Sequence, residues 1–265
     1  MKTSEDLKKI VKDKYAEIAD TQPSCGCGCG CGSGQQKDYS IFSEDYRKQP
    51  GYLEEADLGL GCGLPTEHAG IKPGNSILDL GSGAGNDCFV ARAIVGDTGK
   101  VTGLDFTDEM IRKAKANNRK LGYTNVEFIK GDIENMPIPE NSYDVVISNC
   151  VLNLVPDKQK AFSEIFRVLK PGGHFCISDI VLEGHLPSQL QEAAELYAGC
   201  VSGAMQKGEY LNVIRSSGFK NIQIRTEMKN IIPEDLLMEY LTDDELTAFR
   251  KSGLGIFSIT VTAEK

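Results

Sequence analysis

The chain has 265 residues, 40% of them hydrophobic and 25% charged, which suits one large soluble globular domain or one domain with an insertion. Its formal net charge is −9 and no Lys/Arg cluster breaks that balance, which argues against a nucleic-acid partner. No apolar run approaches the ~20 residues that cross a bilayer, so no membrane partner is expected.

The first segment, MKTSEDLKKIVKDKYAEIAD, has no signal-peptide core, and a cytoplasmic setting is expected. Residues 5–19 carry Leu7, Ile10, Val11, Tyr15 and Ile18 along one helical stripe. Such a helix either packs on the domain surface or serves as a lid over a ligand edge.

Thr21–Gly34, TQPSCGCGCGCGSG, is too glycine-rich for regular structure. Cys25, Cys27, Cys29 and Cys31 could collect soft metals or metalloids there, because thiolate is a soft ligand. Their C-x-C spacing is not that of common zinc sites, and a plain flexible tether is the alternative. The chain has nine cysteines; in a cytosolic enzyme these point to metal binding or reactivity rather than a disulfide framework. Cys62 falls between glycines in LGLGCG, which predicts an exposed, reactive thiol.

After Pro73–Gly74 comes ILDLGSGAGND, residues 77–87. Ile77, Leu78 and Leu80 read as a buried strand, and a helix over 86–95 follows the glycines at 81, 83 and 85. A strand that turns into a helix through glycine offers bare backbone N–H groups to a ligand. A strand at 101–105, a helix at 107–121 capped by Thr107 or Asp108, and strands at 126–130 and 143–148 come next. A helix at 157–169, the LKPGG turn and a strand at 174–180 complete the alternation. This is the pattern of an α/β, doubly wound parallel sheet, with ligands outside the carboxyl ends of the strands. Asp79, Asp105, Asp132 and Asn149 all fall at such ends. Cys88 and Cys176 sit in helix and strand patterns and read as packing residues.

The last third suggests helices at 188–199, 206–217 and 233–249, with strands at 220–227 and 255–263 as a closing antiparallel pair. Pro187–Gly208 then reads as an insertion over the ligand edge, with Cys200 in YAGCVSGA.

The glycines follow G-x-G-x-G rather than the dinucleotide G-x-G-x-x-G, and no phosphate-cradling G-x-x-x-x-G-K-[ST] occurs. Asp79, Asp105 and Asp132 make the pocket negative, which repels pyrophosphate and welcomes a cationic cofactor such as S-adenosyl-L-methionine. ILDLGSGAGND, the GLD at 103–105, GDIENMP and LKPGG resemble the class I S-adenosylmethionine-dependent methyltransferases over about 71–182. More narrowly, LGLGCGLP, SNCVLNLVPDK and YAGCVSGA resemble the arsenite methyltransferases.

The resemblance implies a Rossmann-like cofactor domain over 71–182. It implies an N-terminal helix, Cys–Gly-rich loop and substrate loop over 1–70, and a substrate-binding insertion with closing strands over 183–265. It places Gly81, Gly83, Gly85 and Asp79 by the methionine part of the cofactor and Asp105 on the ribose hydroxyls. Met110, Asp132 and Ile133 would border the adenine, and Asn149 the methionyl side. Cys62, Cys150 and Cys200 would hold arsenic. A fourth family cysteine has its counterpart within the CGCGCGCG run, where Cys31 is nearest in spacing.

The residues suit that chemistry. Trivalent arsenic is soft and prefers thiolates, while the chain has only His68, His174 and His185 for a histidine site. Arsenic keeps a lone pair for the sulfonium methyl, so catalysis is chiefly positioning. The expected substrate is arsenite or its thiol conjugates, with a thiol reductant such as thioredoxin or glutathione to reopen any disulfide. The alternatives are a quinone- or sterol-type methyltransferase, which needs no cysteine trio, and a metalloid-binding protein that retains a cofactor fold.

Overall fold

The computed structural model describes residues 3–20, 46–192, 203–231 and 234–265. Cys25, Cys27, Cys29, Cys31 and Cys200 lie outside them, as does the C-terminal part of the helix expected over 188–199. Strands β1 (Ser76–Leu80), β2 (Lys100–Asp105), β3 (Val126–Lys130), β4 (Tyr143–Asn149) and β5 (Leu169–Glu183) run parallel. β6 (Met205–Gln206) pairs briefly with the end of β5, and β7 (Lys220–Asn230) and β8 (Gly255–Glu264) close the sheet antiparallel. The order is β3-β2-β1-β4-β5-β8-β7, so connections leave β1 in opposite directions across the sheet. That reversal opens a crevice at the carboxyl ends of β1 and β4.

The helices are α1 (Ser4–Asp20), α2 (Pro65–His68), α3 (Asn86–Val95), α4 (Asp108–Leu121) and α5 (Lys158–Val168), of which α1, α3 and α4 supply residues to the wall of this crevice. Alternate strand residues point to opposite faces, and both faces are covered, which is why the strands read as apolar runs. Ile77, Val101 and Val145 pack with Phe89 of α3 and Ile111 of α4. Leu78, Leu104 and Val146 pack with Phe162 of α5 and with Tyr210 of the helix Lys207–Ser216.

A third cluster decides the site. Val11 of α1, Leu154, Ile180, Leu190, Leu237, Leu241 and Leu246 close over Cys62 and Cys150. α1 contacts α4 and the turn at 152–154, and contributes Lys8, Val11 and Tyr15 to the wall of the crevice. Of the two placements open to this helix, it takes the one over the ligand edge.

Three elements differ from expectation. The helix expected over 233–249 is broken into Glu234–Met238 and Asp243–Lys251. Thr242 starts the second: its hydroxyl accepts the Glu245 N–H, and the Glu245 carboxylate accepts the Thr242 N–H at 2.9 Å. The Thr-x-x-Glu spacing of this capping box was the sequence signal for the break. The strand expected at 174–180 runs from Leu169, through the expected LKPGG turn, to Glu183, because it pairs with β4 from Leu169 and with β8 as far as Glu183 opposite Gly255. The strand expected at 220–227 likewise runs on to Asn230, opposite Ile256.

Candidate active site

The crevice is a cleft of about 1130 Å³, counting its open mouth. Asp79, Gly81, Gly83, Asp105, Met110, Asp132, Ile133 and Asn149 all line it. Gly85 does not; it is buried, and a Cβ there would stand 2.8 Å from Phe128 Cζ, so its smallness serves helix–sheet packing.

The glycine loop is tied to β2. Gly81 N–H and Ser82 N–H both donate to Leu104 C=O, at 2.8 and 3.0 Å. Gly81 has φ +67°, and any Cβ there would collide with Val151. Asp105 accepts the Gly83 N–H on Oδ2 at 3.0 Å and the Thr107 N–H on Oδ1 at 2.8 Å. Thr107 occupies the N-cap position of α4, but its hydroxyl makes no cap bond.

The wall is anionic. Burial, then the charge of Asp87, pushes Asp79 well above the usual carboxylate range; Asp79 also accepts the Cys88 S–H at 3.2 Å. Burial raises Asp87 to about 6, against the hydrogen bonds from Tyr46 and Asn149. Burial raises Asp105 as well, offset in part by the backbone N–H groups it accepts. Burial alone would lower the Lys8 ammonium, yet its bonds to Asp132 (2.7 Å) and Glu134 (2.6 Å) outweigh this and hold it high.

Cys62 and Cys150 meet at this cleft as a disulfide, with Cα atoms 5.6 Å apart across 88 residues of chain. The expectation that Cys62 is exposed is corrected: it is only 2% accessible, and Cys150 5%. The glycines around Cys62 serve close approach rather than exposure. A Cβ on Gly61 would lie 2.7 Å from Asn149 Nδ2, and one on Gly63 2.5 Å from Ser178 Oγ. Cys150 itself has φ +58°, a left-handed conformation rare for a side-chain residue and common at functional sites, and its N–H donates to Ser178 C=O at 2.8 Å.

Cys88 and Cys176 are fully buried packing residues, as expected. Burial, then Asp79, drives the Cys88 thiol far up, and burial takes Cys176 to about 12, so both remain protonated. Cys200 and Cys31 lie outside the described residues, so their distance from the cleft is not part of this geometry.

Sequence reasoning missed Tyr46, Asp87, Lys8 and Glu134. Tyr46 O–H is 3.0 Å from Asp87 Oδ2 and 3.1 Å from Gly63 C=O, and also receives an N–H from Asn149. Burial, then Asp87, keeps the Tyr46 phenol protonated as a donor. Asp87 ends the glycine motif, and an acidic residue beneath two others was the signal available. Nothing local marks Tyr46 or Lys8.

Among the described residues, Ser82 Oγ and Asp87 Oδ1 are buried without a hydrogen-bond partner, and both residues line the cleft. Unsatisfied buried oxygens around an acidic cleft suit a polar ligand that brings donors and positive charge.

The family described as "Methyltransferase domain" matches residues 71–218. An arsenite methyltransferase of Halobacterium salinarum is 38% identical over 98% of this chain and 67% of its own length. A demethylmenaquinone methyltransferase of Lactococcus lactis is 31% identical, over 82% of this chain and 81% of its own. The crystal structure of the arsenic(III) S-adenosylmethionine methyltransferase of Chlamydomonas reinhardtii is similar at TM-score 0.66 and 35% identity, covering 77% of this chain and 67% of that one. The chain spans only 40% to 54% of the length of the bacterial and mammalian arsenite methyltransferases it matches.

Proposed function

The chain belongs to the arsenite methyltransferase family, a branch of the class I S-adenosylmethionine-dependent fold, and from that premise we propose that it methylates trivalent arsenic held by cysteine thiolates. The observation that carries the proposal is the pairing of Cys62 with Cys150 at the wall of the cofactor cleft. Two thiols near enough to form a disulfide are near enough to share one arsenic atom.

When bound, S-adenosylmethionine supplies a methyl group on a sulfonium. Asp79, Gly81 and Gly83 would border its methionine part. Asp105 would take the ribose hydroxyls with the lone pairs its backbone N–H bonds leave over. Met110, Asp132 and Ile133 would border the adenine and Asn149 the methionyl side; Gly85 shapes the loop from behind.

A thiol reductant such as thioredoxin or glutathione first opens the Cys62–Cys150 disulfide, taking the oxidising equivalents as its own disulfide. The freed thiols replace hydroxyls of arsenite, or the thiols of a conjugate, with release of water or thiol. Cys200, and Cys31 or a neighbour in the CGCGCGCG run, would supply the further ligands. The thiolate-held arsenic keeps a lone pair; the bound cofactor would supply its methyl group to that lone pair and leave as the neutral thioether, and no general base would be required at arsenic. Val11, Leu154 and Leu246 pack apolar side chains against the Cys62–Cys150 pair, and such a surrounding favours a step that neutralises a cation. Arsenic is then formally two electrons more oxidised, and closing a cysteine disulfide returns those electrons. We place this chemistry in the cytoplasm, where thiol reductants keep cysteines reduced; among the described residues, no helix is long and apolar enough to cross a membrane.

The test is incubation with arsenite, labelled cofactor and a thiol reductant, comparing wild type with Cys62→Ser, Cys150→Ser and Cys200→Ser. Methylated arsenic from the wild type and none from the variants supports the reading. The similarity to a menaquinone-pathway methyltransferase favours a second reading, a quinone-type enzyme. Under it the three serine variants keep their methyl transfer. Arsenic binding without turnover would point to sequestration.

A further inference from the structure

Asp87 has no part in the roles above, yet it stands where the cofactor cleft meets the Cys62 loop. Its Oδ2 receives the Tyr46 O–H at 3.0 Å and lies 3.4 Å from Asn149 Nδ2. Its Oδ1 has no partner among the described residues and is closed off from bulk water, although the residue lines the cleft. A buried carboxylate oxygen without a donor is costly, and a ligand that brings a donor or a cation removes that cost.

The groups facing Asp87 are Asp79 of β1, Asp57 of the loop before α2, Tyr46, and Cys88 beside it in α3. None is cationic. Lys8, also on the cleft wall, is committed to Asp132 and Glu134.

The cofactor carries two cations, and they differ in kind. Its sulfonium has no N–H or O–H to give, whereas its α-ammonium has three N–H donors. Asp79 is the weaker counter-ion: its Oδ2 already receives the Cys88 S–H at 3.2 Å, and burial, then the Asp87 charge, holds it well above the usual carboxylate range. Asp105 already accepts two backbone N–H groups. Asp87, at about 6, ionises within the neutral range.

We propose that Asp87 binds the α-ammonium of the cofactor and, through Tyr46 and Asn149, couples cofactor occupancy to the position of the Cys62 loop. Tyr46 O–H and Asn149 Nδ2 both reach Gly63 C=O, at 3.1 and 2.8 Å, while Asn149 Oδ1 holds the Cys62 N–H at 3.0 Å. An ammonium that fixes Asp87 in its ionised form commits the single Tyr46 proton to Asp87. The phenol oxygen then accepts the Asn149 N–H more strongly and fixes the side chain whose Nδ2 holds Gly63 C=O and whose Oδ1 holds the Cys62 N–H.

The proposal rests on the cofactor, not on arsenic, so the test contains no arsenic. The reduced full chain is titrated calorimetrically with S-adenosylhomocysteine and with its desamino analogue. Wild type is expected to prefer the amine about 10- to 100-fold, the worth of a charged hydrogen bond. Asp87→Asn should narrow that preference to about threefold while binding the desamino analogue as wild type does. An undiminished preference, or equal weakening for both ligands, overturns the assignment.

Wild type alone provides a second reading near pH 6, should the variant fail to fold. The homocysteine ligand should release protons and the desamino analogue should not; equal release overturns the proposal. For the coupling, the cofactor product should shield Cys62 from alkylation, read by peptide mass, and Tyr46→Phe should lose that shielding while still binding the ligand. Equal shielding in Tyr46→Phe overturns the coupling. Failure of wild type to bind S-adenosylhomocysteine overturns the cofactor assignment itself, and this proposal with it.

Discussion

Asn149 holds the Cys62 loop by its backbone: Asn149 Oδ1 accepts the Cys62 N–H at 3.0 Å, and the next residue in the chain, Cys150, is the disulfide partner of Cys62. One side chain at the end of β4 therefore sets the relative position of two thiols that are 88 residues apart.

Asn149→Ala should remove that acceptor and leave Gly63 C=O with fewer donors. A loss of about 1–3 kcal/mol in urea unfolding is expected from the orphaned backbone groups. The rate at which the reduced protein recloses its Cys62–Cys150 disulfide should fall as well. A variant that recloses as fast as wild type would show that the loop is held elsewhere.

Gly61→Ala tests the close approach itself. The new methyl would sit 2.7 Å from Asn149 Nδ2, so loop or side chain must move. Overpacking of this kind costs about 1–3 kcal/mol. Mass mapping of alkylated cysteines should find Cys62 more reactive than in wild type, and full protection would contradict the expectation.

Lys8→Met addresses the lid. The ammonium spans Asp132 and Glu134, and Glu134 is buried. Lying between an exposed pair and a buried one, it should contribute about 1–3 kcal/mol. Hydrogen exchange across Ser4–Asp20 should speed up in the variant, while exchange in β1 and β4 should not change. Unaltered exchange in α1 would mean that Val11 and Tyr15 hold the helix without the charge.

Asp179 gives the fold a pH dependence. It is fully buried on β5, accepts the Tyr210 O–H at 3.1 Å, and burial raises it from 3.8 to about 7. Because the folded pKa is the higher one, the stabilising proton is held below pH 3.8 in both states. Between about 4 and 7 only the native state retains it, so stability falls across that window as pH rises. Asp179→Asn should flatten the fall by a few kcal/mol and be the more stable form at pH 8. Parallel urea-midpoint curves for the two proteins would refute this.

Much of the fold was legible because its determinants are local. Runs such as ILDL at 77–80 and VVIS at 145–148 are buried on both faces as in a parallel sheet, and Asp79 within the first and Asn149 after the second mark the ligand edge. The break before Asp243 was also written locally, in Thr242 and Glu245, but Leu237, Leu241 and Leu246 carry an apolar stripe across it and obscure the boundary.

The sequence by itself determined the alternation of strands and helices, the glycine turn beside Asp79, and the chemical character of the cleft, since each depends on neighbours within a few residues. Only the tertiary structure decided that Cys62 is buried, that it meets Cys150, and that Tyr46 and Asp87 share a network with Asn149. The physical reason is that burial and pairing depend on what covers a residue, and the cover for Cys62 comes from α1, β4 and the helices after β7, far along the chain. A glycine-flanked cysteine looks exposed only until the rest of the molecule closes over it.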